Sequence, residues 1–244
     1  MKDSDNDWRM EDVFFLSEDT RLPSGQIAKK GSQITKHSVA QLTRKKQVVI
    51  ALPNATALFL NASRRSWEEA KSIRQRSKID HSIKSEVTFA TRSESFNYLE
   101  RVMESVVMAH TALEAFVNEK IPDDFLYHTH RKSPVILETM NKKEIERYLS
   151  LDEKLSDVLP ECLGIASPKG TRCWEGFVKL KRVRNRIIHM KKEDRRSSGP
   201  EIPTLWHALF KLDAPFRQAK SVCDFFIKNA QNDAPRWHRE YPDK

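Results

Sequence analysis

Apolar residues in the second half of the chain recur at alternating steps of three and four, which is the spacing of an amphipathic helix. The longest such run begins after the capping box Thr91–Glu94, ends before Pro122 and contains Phe96, Leu99, Met103, Val106, His110, Leu113 and Val117. Shorter runs of the same kind predict further helices at about 134–149, 151–159, 171–192 and 204–229. We expect these helices, joined by short connections, to pack as a four- to five-helix bundle.

The first ninety residues show a different pattern. Turn-forming residues separate short apolar runs at 13–16, 48–52 and 57–60, which predicts a few short strands and loops. The motif Ser66–Glu69 matches a second capping box and predicts a helix from there towards Arg76. The polar stretch 77–85 is the predicted linker.

These patterns place the chain in the mainly α class and divide it into three parts. Residues 1–90 form an N-terminal region of unknown role, with short strands and one helix in a mixed α/β or irregular arrangement. The helical bundle is expected over residues 91–232, and a polar tail follows at 233–244. The tail segment Pro235–Tyr241 interleaves basic and aromatic residues, which suits either packing on its own domain or stacking on nucleic-acid bases.

Composition narrows the class of protein and its compartment. Only 6 of the 244 residues are glycine, which argues against a phosphate-cradling glycine loop. Cys162, Cys173 and Cys223 are too widely spaced for a disulfide framework or a CxxC metal site, which favours a reducing cytoplasm. The acidic amino terminus does not resemble a secretory signal, and the most apolar run, 48–60, is too short to span a bilayer of about 30 Å. We expect a cytoplasmic protein that does not contact a membrane.

Positive charge is concentrated in one segment. The chain has a net charge of +9, and residues 169–196 contain eleven Lys/Arg against three Asp/Glu. Clustered positive charge favours a polyanionic partner, because each neutralised phosphate releases condensed counterions. The alternative is that these side chains only solvate the exposed face of a helix.

The hexapeptide Arg184-Asn185-Arg186-Ile187-Ile188-His189 lies near the end of the predicted basic helix. Helical periodicity places Arg184 on the apolar arc between Leu180 and Phe177, where a charge is costly unless an acid pairs with it. Glu114, on the buried stripe of the Thr91 helix, is the predicted partner. A second Arg–His pair of the same spacing, Arg76–His81, falls in the polar linker and is interpreted as a chance match.

Together the hexapeptide and the segment Ala109–Glu119 resemble HEPN domains, small helical-bundle proteins of prokaryotic defence and toxin systems. The hexapeptide is similar to the family's Arg-polar-(x)-His motif, and Ala109–Glu119 is similar to an early helix that brings a polar or acidic side chain towards it. The resemblance covers about residues 91–229. It implies a metal-independent endoribonuclease of a toxin or phage-defence type, in which a 2′-hydroxyl attacks the adjacent phosphate.

The resemblance also implies roles for individual residues. Arg184 and His189 would be catalytic, since an arginine fork binds phosphate and a histidine transfers protons near neutral pH. Asn185 could fix the His189 tautomer, and Glu114 would orient Arg184 or balance its charge. RNA contacts are expected from the neighbouring bases Arg182, Arg186, Lys191 and Lys192. The alternative for His189 is a helix-terminal histidine that interacts with the helix dipole, and for Arg184 a purely structural ion pair.

Residues five apart on a helix point about 140° away from each other, so one chain does not easily direct Arg184 and His189 at one phosphate. Either the helix unwinds near His189, or a homodimer builds the site across a two-fold axis.

An antitoxin or regulatory protein is a further candidate partner. We expect neither metal nor cofactor, and we interpret His110 as a hydrogen-bonded core histidine. The alternative function is a non-catalytic helical module for dimerisation or for binding nucleic acid or a partner.

Overall fold

The computed structural model describes residues 7–22, 25–130, 135–230 and 233–242. The chain is mainly helical with a few short strands. Its residues group into two compact units, which are Met1–Leu58 together with Asp233–Lys244, and Phe59–Asn232. This grouping differs from the boundaries expected from sequence, because the C-terminal tail joins the N-terminal residues and the division falls near residue 58 rather than 90.

The first unit contains short antiparallel strand pairs. Strand β1 pairs with β4, β2 with β3 and β5 with β6. Their bounds are β1 Phe14–Phe15, β2 Thr20–Arg21, β3 Ile27–Ala28, β4 Gln33–Ile34, β5 His37–Thr43 and β6 Lys46–Ala51. The tail packs on this unit, since the backbone N–H of Arg236 donates to Asp12 at 2.8 Å and the Trp8 and Tyr241 rings meet edge to face at 5.3 Å.

Helix α1, Ala55–Arg76, begins earlier than the sequence predicts. Asn54 caps it, because its side-chain oxygen accepts from the backbone N–H of Ala57 at 2.9 Å. The predicted start at Ser66 is therefore wrong, and the Ser66 hydroxyl instead donates to the carbonyl of Ala62 at 3.0 Å inside the helix. The apolar run 57–60, predicted to be a strand, lies in the first turns of this helix.

Helix α2, Arg92–Lys120, confirms the longest predicted helix. The hydroxyl of Thr91 accepts from the backbone N–H of Glu94 at 3.1 Å, and the helix ends at Lys120, two residues before Pro122. The remaining elements of the second unit are β7 Leu126–Thr129, β8 Glu138–Asn141, α3 Lys142–Tyr148, α4 Leu151–Glu153, a π-helical segment Lys154–Val158, α5 Leu159–Leu163, α6 Arg172–Ile188, a 3-10 helix Lys192–Arg195, α7 Leu205–Phe210 and α8 Pro215–Asn229. Helix α9, Arg236–Arg239, belongs to the first unit.

Two predicted helices are shorter than expected, for local reasons. The first part of 134–149 contains strand β8, which pairs with β7, and α3 begins only at Lys142, where Asn141 and Glu144 form a capping box. The segment 204–229 is divided into α7 and α8 at Pro215, since proline cannot continue a helix from the preceding turn.

Helices α2, α6 and α8 pack against one another and form the core that positions the candidate site. Buried side chains from the three helices include Val106, Leu113, Phe116, Phe177, Leu180, Val222 and Phe226. Each fully buried Leu or Phe stabilises the fold by about 1.5–3 kcal/mol relative to exposure, so this cluster fixes the orientation of α6. In the described part of the chain, no helix combines the length and the apolar character needed to span a membrane.

Candidate functional site

The Arg184–His189 hexapeptide occupies the last turn of α6 and the residue that follows it. Ile188 is the last helical residue, and His189 leaves helical geometry with φ −122° and ψ 66°. Its backbone N–H still donates to the carbonyl of Asn185 at 2.9 Å. The direction of the His189 side chain is therefore no longer set by helical periodicity, which corresponds to the unwound arrangement considered from sequence.

His189 is exposed at the C-terminus of α6. Within the described residues, its imidazole forms no hydrogen bond or ion pair with another side chain. A histidine used to stabilise a fold would normally have at least one ring nitrogen bonded to a buried group. Both ring nitrogens of His189 are therefore open for proton exchange with a ligand.

Arg184 is half-buried on the same turn. Its Nη1 donates to the side-chain oxygen of Asn185 at 3.2 Å, and no carboxylate of the described residues forms an ion pair with it. The Asn185 side chain thus contacts Arg184, and among the described residues it forms no hydrogen bond with the His189 imidazole. The remaining donors of the guanidinium are available for an anion.

Glu114 forms its ion pair with Lys154 and not with Arg184 as expected from sequence. Its Oε2 accepts from Lys154 Nζ at 3.2 Å, and the same ammonium donates to Asn118 Oδ1 at 3.4 Å and to the carbonyl of Glu146 at 3.1 Å. Lys154 is the first residue of the π-helical segment, and its side chain is only 3% exposed. A buried ammonium needs acceptors more than a half-buried guanidinium does, since the guanidinium keeps water contact.

Removing Glu114 is expected to cost more stability than removing Lys154. Glu114→Ala leaves the buried ammonium with neutral acceptors only, so we expect the free energy of unfolding to fall by about 2 kcal/mol. Lys154→Met leaves a carboxylate that is 36% exposed and can be hydrated, so the loss should stay below about 1 kcal/mol. Urea unfolding of both variants measures the difference, and equal losses would contradict this asymmetry.

His110 is the other histidine near Arg184. It lies on the buried stripe of α2 and is 7% exposed, as expected, but within the described chain its ring forms no hydrogen bond. Burial lowers its pKa, and the charge of Arg184 lowers it further, while Glu114 and Asp152 act in the opposite direction. Charged side chains of α2, α4 and α6 therefore gather around this imidazole.

The lowered pKa of His110 predicts a pH dependence of stability. The unfolded chain binds the proton more readily than the folded one, so the His110 contribution is complete above a pH of about 6.5 and is lost as the pH falls towards the folded pKa. His110→Gln should reduce the rise in the free energy of unfolding between about pH 5.5 and pH 7. His81→Gln, which replaces an exposed histidine, is the matched control and should retain the wild-type slope.

Arg186, which the sequence predicts to contact RNA, forms an ion pair within the chain. Its Nε and Nη2 donate to the two carboxylate oxygens of Asp194 at 2.6 and 2.7 Å, and Nη2 also lies 3.4 Å from the carbonyl of Pro203. The geometry is that of a bidentate Arg–carboxylate pair. Arg182, Lys191 and Lys192 are exposed and remain available as phosphate contacts.

Asp194 connects the end of α6 to the start of α7, a role that the sequence did not reveal. Its side chain is fully buried and also accepts from the backbone N–H groups of Lys191 and Leu205, at 2.9 and 2.7 Å. The Arg186 guanidinium lowers the pKa of this carboxyl strongly, and the two N–H donors add to the shift against the opposing effect of burial. The available signal was weak, since Asp194 is one of three acids in a segment with eleven bases.

The site therefore combines an exposed histidine, a half-buried arginine without an acid partner among the described residues, and three exposed bases. Its geometry depends on the core of α2, α6 and α8 and on the Asp194 connection. Comparison of the chain with protein-family models, with curated proteins and with solved structures gives no match.

Proposed function

We propose that the protein is a metal-independent endoribonuclease of the HEPN type. The observation that carries this proposal is the open state of His189 at the end of the basic helix that also carries Arg184. Arg186 and Lys154, which have structural roles, are each paired with a carboxylate, whereas Arg184 and His189 form no ion pair among the described residues. The helical bundle around α6 agrees with the HEPN resemblance of Arg184–His189.

The residues suit transesterification of RNA. His189 accepts the proton of a 2′-hydroxyl while its oxygen attacks the adjacent phosphorus, and the bond from phosphorus to the 5′-oxygen breaks. The 5′-oxygen leaves with a proton supplied by a second acid, and the products are a 2′,3′-cyclic phosphate and a 5′-hydroxyl. Arg184 stabilises the charge that develops on the phosphate oxygens, and Asn185 holds its guanidinium in place.

The need for a base and an acid supports a homodimer. Each hexapeptide supplies one histidine, and a two-fold axis near the end of α6 would bring a second His189 to the same phosphate. Ile188, immediately before His189, is 51% exposed and would be covered by such a contact. Arg182, Lys191 and Lys192 would follow the RNA backbone on either side.

The proposal is tested by incubating purified protein with an end-labelled RNA in excess chelator and analysing the product ends. We expect fragments with 2′,3′-cyclic phosphate and 5′-hydroxyl termini. Cleavage that depends on added magnesium, or that leaves a 3′-hydroxyl, would contradict the mechanism. RNA binding without cleavage under all conditions would favour the non-catalytic binding module.

A toxin or defence role, with an antitoxin or regulatory partner, is the cellular setting that the HEPN resemblance suggests for such an activity.

A further inference from the structure

His110 is a buried histidine that the proposed mechanism does not use. It lies on the inner stripe of α2, is 7% exposed and forms no hydrogen bond within the described chain. Neither of its unbonded ring nitrogens is completely enclosed by protein, so both keep some accessible surface. Polar groups buried to this extent usually have a hydrogen-bond partner, which makes these open nitrogens candidate ligand contacts.

Two ion pairs lie around this histidine. Glu114 follows His110 by one turn of α2 and pairs with Lys154 of the π-helical segment at 3.2 Å. Asp152 of α4 pairs with Lys181 of α6 at 2.5 Å. Both carboxylates that act on the imidazole are therefore already neutralised by an ammonium.

Arg184 leaves this cluster with a single net positive charge. It follows Lys181 by one turn of α6, which packs against α2, and no carboxylate of the described residues pairs with it. Burial and the charge of Arg184 lower the pKa of His110, so the imidazole is uncharged at neutral pH. A phosphodiester, with one negative charge, would neutralise the cluster, whereas a phosphate monoester with about two charges would exceed it.

We propose that His110 and Arg184 together bind one phosphodiester group, in a shared site of α2 and α6. The N–H of the neutral imidazole donates to one non-bridging oxygen, and the guanidinium donates to the other. That this group is the scissile phosphate of RNA rests on the proposed nuclease function. His110 is then a phosphate-binding residue, and proton transfer stays with His189.

Fluorescence anisotropy with a labelled 2′-O-methyl RNA measures binding without cleavage, because the attacking hydroxyl is blocked. We expect His110→Leu to bind this RNA about tenfold more weakly than wild type, since one donor to the phosphate is lost. Leucine replaces an unbonded polar ring, so this variant should unfold at the wild-type urea concentration or above. His110→Gln keeps an N–H donor and should bind within about threefold of wild type. His81→Leu, which replaces an exposed histidine, is the matched control and should bind as wild type does.

Histidine-ring NMR separates a phosphate contact from a purely structural role. A bound phosphodiester places a negative charge beside the imidazole, so the pKa of His110 should rise when the 2′-O-methyl RNA binds. Arg184→Ala should raise the same pKa in the free protein, because a neighbouring positive charge is removed. Arg182→Ala, which removes an exposed charge from the same helix, should leave it unchanged. A His110 pKa that does not change when RNA binds would overturn the shared site.

These measurements distinguish the shared site from the nuclease activity. If wild type binds RNA through His110 but never cleaves it, the shared site stands and the nuclease proposal fails. If wild type cleaves RNA and His110→Leu binds and cleaves RNA equally well, the nuclease proposal stands and the shared site is refuted. Absence of RNA binding by wild type would overturn both.

Discussion

Replacing Arg184 with alanine is expected to lower the rate of RNA cleavage by about 10²–10³-fold, because the developing phosphate charge loses a positioned donor. The Arg184 guanidinium contributes little to the fold, since its described side-chain contact is the bond to Asn185 at 3.2 Å. The variant should therefore unfold at nearly the wild-type urea concentration. Cleavage of a labelled RNA under single-turnover conditions measures the loss.

Arg182→Ala is the matched control for Arg184→Ala. It removes the same charge from the same helix, but Arg182 is exposed and lies outside the hexapeptide. We expect a cleavage rate at low salt close to that of wild type and a weaker salt dependence of RNA binding, with a slope reduced by about one phosphate contact. Equal losses of cleavage rate for the two variants would show that Arg184 contributes only its positive charge and not a positioned hydrogen-bond donor.

His189→Ala should also lower the cleavage rate, because it removes the group that transfers the proton and not the group that stabilises the phosphate charge. Loss of a proton-transfer group costs about 10²–10⁴-fold, and it removes the corresponding limb of the pH–rate profile. Arg184→Ala should leave that limb in place, since arginine remains charged throughout the range. A His189→Ala enzyme with unchanged activity would assign proton transfer to another residue.

Mixing wild type with His189→Ala tests the proposed dimer. If the site needs the His189 of both protomers, one as base and one as acid, a mixed dimer has lost one of them and does not cleave RNA. Excess His189→Ala should then lower the activity of a fixed amount of wild type once subunits exchange. If each chain acts alone, the activity of the wild type stays unchanged.

The long helices were predictable because their signals are local. The three-and-four spacing of apolar residues and the Thr91 cap define α2 without reference to any other part of the chain. The start of α1 depends on distant contacts, since the backbone of Asn54 also bonds to the carbonyl of Arg9 at 2.8 Å. No local pattern distinguishes Asn54 from Ser66 as the cap.

The candidate site was predictable in part for the same reason. The hexapeptide and the basic helix are visible in sequence, but the partners of its charges are not. Arg182 and Arg186 lie one turn apart on α6, and only the return of the chain after Ile188 places Asp194 against the second of them. Both Arg184 and Lys154 lie in elements next to Glu114. Glu114 pairs with Lys154, because the ammonium is the more deeply buried of the two charges.

Replacing Asp194 with alanine is expected to reduce the free energy of unfolding by about 3 kcal/mol, the largest stability loss of the substitutions considered. The change removes the acceptor of the Arg186 guanidinium and of the backbone N–H groups of Lys191 and Leu205. Leu205 is fully buried, so its N–H is left without water. The Arg186 side chain is 22% exposed and can be partly hydrated, which limits the loss.

The pH dependence of the same contact follows from the lowered pKa of Asp194. Because the folded carboxyl releases its proton at lower pH than the unfolded one, its stabilisation is complete above a pH of about 4 and is lost as the pH falls towards the folded pKa. Wild type should therefore lose stability in this acid range faster than Asp194→Asn. Urea unfolding followed by helical circular dichroism at several pH values measures the two slopes.

Asp194→Ala should also reduce RNA cleavage, although Asp194 touches no substrate in the proposed mechanism. The bonds to Arg186 and Leu205 fix the turn that carries His189 out of α6, so their loss frees the imidazole from its position. Glu193→Ala is the matched control, because it removes a neighbouring acid that is exposed and should alter neither stability nor cleavage. If Asp194→Ala is destabilised but cleaves RNA at the wild-type rate while folded, the turn does not position His189, and the cleavage site must be held by other contacts.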